Sequence, residues 1–211
     1  MKTFSIISVS LITILLAVSY IRQLLRKEIQ PALAMWVMFS VAVAMSLITY
    51  LKEGNYDFTD NILNSVDVIY VITVSVAITI WGEKSSKITR FDLVCLVVVG
   101  LIVVFWLFTQ NHLVTNFMIQ SILVIAYFPV VKRLFETRKN TEPFLIWTGM
   151  MIAPVFSLLS SKGLLATVYS VRAIICVGTL LLIMLWIELT DRKRKKLNQE
   201  SVEINASQVQ E

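Results

Sequence analysis

The sequence predicts an all-α membrane protein with seven transmembrane helices. Of its 211 residues, 57% are hydrophobic, and the mean hydropathy is +0.77. Several apolar runs are about 20 residues long, which is enough to cross roughly 30 Å of hydrocarbon as a helix. Strands of a transmembrane barrel would instead appear as alternating segments of about ten residues. Since helices satisfy their own backbone polar groups in lipid, a helical bundle is the expected class.

Seven apolar runs, separated by short polar connectors, define the predicted spans. They are Phe4–Tyr20, Ala32–Leu51, Ile62–Trp81, Phe91–Thr109, Leu113–Val131, Phe144–Leu159 and Leu164–Leu189. The short connectors make consecutive helices antiparallel neighbours. A cleaved signal peptide is the alternative for the first run, but no small-residue cleavage site of the A-x-A kind follows it. We therefore expect the first run to remain as a helix.

The basic residues predict the orientation of the spans. Of the 19 Lys and Arg residues, 15 follow the first, third, fifth or seventh span, whereas Lys2, Lys52 and Lys162 lie at the opposite ends. Positive residues mark the cytoplasmic side, so we expect a multi-pass cell-membrane protein with its N-terminus outside. The net charge of +5 then reflects orientation, with some attraction to anionic membrane lipid, and no nucleic-acid partner is expected. The polar residues 192–211 are predicted to be a disordered cytoplasmic tail.

An internal repeat relates residues 1–82 to residues 113–191. Three positions recur in the same order: Tyr20, Trp36 and Ser46 match Tyr127, Trp147 and Ser157. The offset is 107 residues before the connecting loop and 111 after it. In the third and seventh spans an offset of 105 carries Asn64 onto Tyr169 and Asp67 onto Arg172. Two three-helix units in the same direction require an inverting linker, which we place at residues 83–112. This 3+1+3 order is one of the known transporter architectures.

This arrangement resembles the SWEET and PQ-loop family of seven-helix membrane proteins over about residues 4–190. The Pro-Gln motif of the family appears as Arg22-Gln23 in the first copy and Pro129-Val130 in the second. In SWEET-like carriers, a tryptophan from the second and sixth helices and an asparagine from the third and seventh line a sugar pocket. The resemblance implies that Trp36 and Trp147 match those tryptophans. The asparagines do not carry over, and a sugar substrate is therefore not implied.

Asp67 and Arg172 are the strongest candidates for a site. An ionisable residue at membrane depth is costly and normally faces a bundle interior or a water-filled cavity. Helical spacing places Asn64 with Asp67, and Tyr169 with Arg172, on faces that the repeat would set opposite each other. A carboxylate and a guanidinium there would suit a polar or zwitterionic solute, with the arginine binding an acid group bidentately. The same two residues also suit a structural ion pair between the repeats, or an outer gate.

Other polar and aromatic residues in the spans admit two interpretations. Trp36 and Trp147 either border the pocket or anchor the helices at the membrane interface. Asn116 and Gln120 either line an outer vestibule or, as we expect, form hydrogen bonds to a neighbouring helix. Pro154 is expected to kink the sixth span.

Catalytic and metal-binding motifs are missing from the sequence. It contains no His-x-x-x-His pair, glycine-rich phosphate loop or Ser–His pairing, so we predict neither an enzyme nor a cofactor or metal site. The predicted function is an integral membrane carrier or facilitator of a small polar solute. The alternative is a non-transporting seven-helix sensor, receptor or assembly partner, in which Asp67 and Arg172 form a structural ion pair.

Overall fold

The computed structural model describes residues 1–29, 33–82, 90–138, 140 and 143–209, and all regular structure in this part of the chain is helical. The helices there are α1 (Lys2–Leu25), α2 (Leu33–Glu53), a short 3-10 helix (Phe58–Asn61), α3 (Ile62–Trp81), α4 (Arg90–Thr109), α5 (His112–Ile125), α6 (Phe128–Thr137), α7 (Phe144–Ser157) and α8 (Leu164–Val209). Ala32, where the second predicted span begins, lies outside the described residues, as do the connector residues Lys84, Lys87 and Lys139.

The predicted all-α class is confirmed, and the composition of the helices indicates a membrane protein. Five segments are long and apolar enough to cross a bilayer: Lys2–Leu25, Trp36–Glu53, Phe58–Trp81, His112–Thr137 and Leu164–Arg194. Two further apolar helical segments, Leu93–Thr109 and Phe144–Ser157, are shorter. Each predicted span therefore corresponds to helical structure in the described residues.

The fifth predicted span is broken, which the apolar run alone does not indicate. It divides into α5 and α6 at Ala126 and Tyr127. Pro129 lies in the first turn of α6 and has no backbone N–H, so it cannot donate to the carbonyl one turn earlier. The helix therefore ends at Ile125 and restarts at Phe128.

The last helix extends well beyond the membrane-spanning length. Its backbone is helical as far as Val209, where the composition predicts a disordered tail from residue 192. Residues 192–209 contain neither glycine nor proline and are rich in Lys, Arg, Gln and Glu, which are good helix formers. The intrinsic preference of this segment thus favours continuation of α8.

Two helices occupy central positions in the packing. Helix α3 packs against both α1 and α2, and α8 packs against α5, α6 and α7. Between these two groups, α1 packs against α7, α2 packs against α5, and α3 meets α8. Asp67 on α3 and Arg172 on α8 therefore both lie on helices at the centre of the bundle.

Helix α4 packs against α2 and α5 and otherwise faces outward. Its buried side consists of Cys95, Val99 and Ile102. Its opposite side is also apolar, and Leu93 and Leu101 are more than half exposed there. A helix that is apolar all round suits contact with lipid on its free side.

Caps at the start of α3 fix the position of the residues that follow. The Asp57 carboxylate accepts hydrogen bonds from the backbone N–H groups of Thr59 and Asp60, and the Asn61 side chain accepts one from the N–H of Asn64. These bonds satisfy donors that a helix start leaves free. The hydroxyl and N–H of Thr59 also hold the pKa of Asp57 below its usual value.

Candidate functional site

Asp67 and Arg172 border the same cavity, which lies between α1, α3, α7 and α8 and has a volume of about 60 Å³. Thr13, Tyr70 and Tyr127 contribute further polar groups to its wall. Most of the remaining lining is aliphatic. The two ionisable side chains thus share one small chamber inside the bundle.

The Asp67 carboxylate is bound by a tyrosine from the opposite central helix. The hydroxyl of Tyr169 donates to Oδ2 of Asp67 at 2.8 Å. Tyr169 is buried, whereas Asp67 is half-buried and borders the cavity. The cost of a carboxylate in hydrocarbon is therefore reduced by a neutral donor while its surface stays open to the chamber.

Arg172 shares Tyr169 with Asp67 and has Gln120 as a further partner. Its Nε donates to Oε1 of Gln120 at 2.8 Å, and its Cζ lies 4.8 Å from the centroid of the Tyr169 ring. A guanidinium over an aromatic face is a favourable arrangement. Gln120 and Tyr169 thereby orient the arginine at the edge of the cavity.

The direct Asp67–Arg172 ion pair that the structural alternative assumed is not present among the ion pairs of the described residues. Tyr169 contacts both groups, the carboxylate through its hydroxyl and the guanidinium through its ring. The two side chains therefore share Tyr169 as a contact and do not form the direct ion pair of the structural alternative.

A buried hydrogen-bond network extends from Gln120 into α2. Nε2 of Gln120 donates to Oγ of Ser46 at 2.9 Å and to Oδ1 of Asn116 at 3.1 Å. Nδ2 of Asn116 donates to the carbonyl of Ser46 and to Oγ1 of Thr49, both at 2.9 Å. The predicted hydrogen bonds of Asn116 and Gln120 to a neighbouring helix are confirmed.

Asn64 belongs to this network and does not border the cavity. Its side chain is fully buried, and its amide lies 2.9 Å from Oγ of Ser46. With its oxygen facing Ser46, the amide accepts the hydroxyl proton, and its nitrogen donates to the carbonyl of Val43 at 3.1 Å. The Ser46 hydroxyl can then accept from Gln120 and donate to Asn64 at the same time.

The two candidate tryptophans occupy matching aromatic pairs behind the cavity wall. The ring centroids of Tyr20 and Trp36 are 5.0 Å apart, and those of Tyr127 and Trp147 are 6.0 Å apart. Neither tryptophan borders the cavity, although Tyr127 does. Trp36 is buried in the core, which is the position of a packing residue and not of an interfacial anchor.

A polar cluster closes the bundle at the end where α1 and α8 begin. The buried carboxylate of Asp60 lies 2.7 Å from Nζ of Lys2 and 3.7 Å from Nζ of Lys162. The backbone N–H of Lys162 donates to the carbonyl of Asp60 at 2.9 Å, and the hydroxyl of Tyr50 donates to the carbonyl of Lys162 at 3.0 Å. These contacts join the loop before α3 to the loop before α8.

Several residues that line the cavity were not among the site residues predicted from the sequence. Thr13, Tyr70, Tyr127 and Met150 line the chamber but carry no charge that would draw notice in an apolar run. One signal exists for Thr13, because the offset of 107 residues pairs it with Gln120, the partner of Arg172. The repeat thus relates the polar neighbours of the two charges as well as the charges themselves.

Comparison with known protein families, characterised proteins and solved structures finds no match for this chain. The resemblance to the SWEET and PQ-loop family stays a prediction from the sequence.

Proposed function

We propose that the protein is a multi-pass carrier or facilitator of a small polar solute in the cell membrane. Two three-helix repeats, joined by α4, would form its two moving halves, with the N-terminus outside. The observation that carries this proposal is that Asp67 and Arg172 border one cavity without forming a direct ion pair. Intramembrane charges that face a shared chamber are a common mark of a solute or ion pathway.

The packing supports two related halves. The third helix of each unit contacts both of its partners: α3 meets α1 and α2, and α8 meets α5 and α7. The contacts of α1 with α7 and of α2 with α5 would exchange under a two-fold axis along the membrane normal. The matching pairs Tyr20–Trp36 and Tyr127–Trp147 fit the same symmetry.

The chemistry of the chamber favours a zwitterionic or acidic solute. A guanidinium binds a carboxylate or phosphate through paired N–H donors, and Asp67 would accept hydrogen bonds from an ammonium or hydroxyl group. The present cavity of about 60 Å³ has room for a few water molecules. Ligand sites are usually about 300–1,000 Å³. We therefore interpret this conformation as one in which the solute site is contracted and the outer end is closed by the Asp60 cluster.

Uptake into proteoliposomes tests the proposal. The purified protein would be screened against labelled amino acids, small carboxylates and sugars, beside empty liposomes. We expect uptake of at least one zwitterionic or acidic solute, and a loss of at least about tenfold in Asp67→Asn and in Arg172→Gln, since a hydrogen bond to a charged group contributes about 1.5–3 kcal/mol.

The matched controls remove the same kinds of charge from exposed positions, with Glu53→Gln and Arg26→Gln. Both side chains lie at the surface and do not border the cavity. These variants should transport like the native protein. If no solute enters, or if folded Asp67→Asn and Arg172→Gln variants transport at the native rate, the carrier proposal fails and the sensor or assembly role takes its place.

A further inference from the structure

A second cavity, of about 400 Å³, lies between α6 and α8 on the side opposite the Asp60 cluster. Its floor is apolar and well packed, with Leu134 and Ile187 almost fully buried. Its walls include Phe135 and Trp186, whose ring centroids are 6.1 Å apart and whose side chains are 50% and 59% exposed. Exposed aromatic rings near the end of a membrane-spanning helix are typical of the lipid headgroup level.

Two arginines complete the groove at its polar end. Arg138 follows α6 directly, and Arg194 lies on α8 two turns beyond Trp186. Both side chains are exposed, and neither takes part in an ion pair among the described residues. Other basic residues on the same two helices do have acidic partners: Lys132 pairs with Glu136, and Arg192 with Glu188. Among the described residues of these two helices, the groove therefore holds two arginines for which no ion pair is present.

We propose that this groove binds one anionic phospholipid. The phosphate would lie between Arg138 and Arg194. The start of an acyl chain would lie against the exposed rings of Phe135 and Trp186, above the floor formed by Leu134 and Ile187. Guanidinium groups form strong paired hydrogen bonds with phosphate oxygens, and basic pockets between membrane helices bind anionic headgroups. The volume of about 400 Å³ falls within the usual range for a ligand site.

The exposed aromatic rings identify the ligand as a lipid. A free phosphate would leave the rings of Phe135 and Trp186 uncovered, whereas a phospholipid covers the rings and reaches both arginines. The proposal concerns α6 and the inner end of α8 only, so it stands whether or not the protein transports a solute.

Native mass spectrometry of the full-length protein in detergent tests the proposal. The protein would be titrated with phosphatidylglycerol and, separately, with phosphatidylcholine. We expect one tightly bound phosphatidylglycerol and no comparable phosphatidylcholine. Each basic residue near a membrane surface strengthens anionic lipid binding about fivefold, so the combined Arg138→Gln and Arg194→Gln variant should bind phosphatidylglycerol roughly 30-fold more weakly.

The control is the combined Arg192→Gln and Lys193→Gln variant, which loses the same charge on the same turn of α8 but outside the groove. It should retain the lipid.

Equal weakening in both double variants would overturn the proposal in favour of non-specific attraction, and equal binding of phosphatidylcholine would also overturn it. Displacement of the lipid by equimolar inorganic phosphate would assign the site to a free anion. A dimer that the groove variant dissociates, with unchanged lipid binding, would assign the groove to a second copy. The single variants Arg138→Gln and Arg194→Gln should each bind phosphatidylglycerol about fivefold more weakly than the native protein.

Discussion

Tyr169 contacts both charged side chains in the interior of the bundle. Its hydroxyl binds Asp67 and its ring lies under the guanidinium of Arg172, while Gln120 takes one arginine donor. Each charge is thus stabilised by a neutral partner. A direct ion pair would also stabilise both charges, but it would occupy the donor and acceptor atoms that could otherwise bind a solute. Neutral partners therefore stabilise each charge, while both charged side chains still border the cavity.

Replacing Tyr169 by phenylalanine tests this role of the hydroxyl. Tyr169→Phe keeps the ring under Arg172 and removes the donor to Asp67, so we expect the free energy of unfolding to fall by about 1–2 kcal/mol. Thermal unfolding of the purified protein in detergent measures the change. The control is Tyr56→Phe, because the Tyr56 ring contacts Tyr50 and Lys162 while its hydroxyl forms no hydrogen bond within the described part of the chain. A Tyr169→Phe variant as stable as the control would refute the bridging role.

At this scale the sequence predicts positions better than partners. The repeat offset placed Asp67 and Arg172 on facing helices, and both do border one cavity. It did not indicate that Gln120 would accept a hydrogen bond from Arg172 or that Tyr169 would contact both charged side chains. Those choices depend on helix rotation and side-chain rotamers, which differ by a few ångströms between arrangements with the same apolar pattern.

At the scale of elements, the length of the apolar runs predicted the helices because lipid allows few other structures. The break between α5 and α6 was visible only as Pro129, a residue that transmembrane helices often tolerate. Pro154, by contrast, lies inside α7, and α7 ends three residues later at Ser157. Whether a proline interrupts a helix depends on the neighbours that satisfy the freed carbonyl, so the apolar run alone does not decide it.

A glycine lies in the α1–α7 contact. A Cβ atom added at Gly149 would lie 2.7 Å from Cδ2 of Leu16 on α1, so the Leu16 side chain packs directly over this glycine. Small residues permit this kind of close packing in membranes. Gly100 on α4 provides the contrast, because a Cβ atom there would meet nothing within 4 Å.

Substitution at these two glycines tests the α1–α7 packing. We expect Gly149→Leu to lower the free energy of unfolding by about 1–3 kcal/mol, since the larger side chain forces α1 and α7 apart. Gly100→Leu should leave stability unchanged or raise it slightly, because leucine is the better helix former and space is open. Thermal unfolding of both variants in the same detergent measures the difference. Equal effects would mean that α1 and α7 are not in close contact.

At the scale of the whole molecule, the Asp60 cluster joins two loops at one end of the bundle. Asp60 receives both Lys2 and Lys162, so a single carboxylate ties the start of α1 to the loop before α8. Its side chain is only 7% exposed, which distinguishes it from surface ion pairs of small effect. Opening this end requires these contacts to separate.

Removal of the Asp60 charge should therefore open this end of the bundle more often. In a background with Cys95→Ala and Cys176→Ala, Ala153→Cys would place one thiol in the cavity wall. We expect Asp60→Asn to raise the labelling rate by a membrane-impermeant thiol reagent roughly tenfold, as loss of a hydrogen bond to a buried charge implies. The exposed Glu53→Gln at the same end of the bundle is the control and should label at the background rate. An unchanged rate in Asp60→Asn would contradict closure by this cluster.

The central claim is that Asp67 and Arg172 serve a solute in a chamber between two three-helix halves. Uptake by the combined Asp67→Arg and Arg172→Asp protein, compared with the native protein and both single variants, tests it most directly. The account predicts that the single variants and the exchanged protein elute as folded protein, and that the exchange transports the native solute at least about tenfold more slowly, because the positive group no longer meets the acid end of the solute. Single variants that fail to fold and recover in the exchanged protein, or an exchanged protein with native uptake, would contradict it.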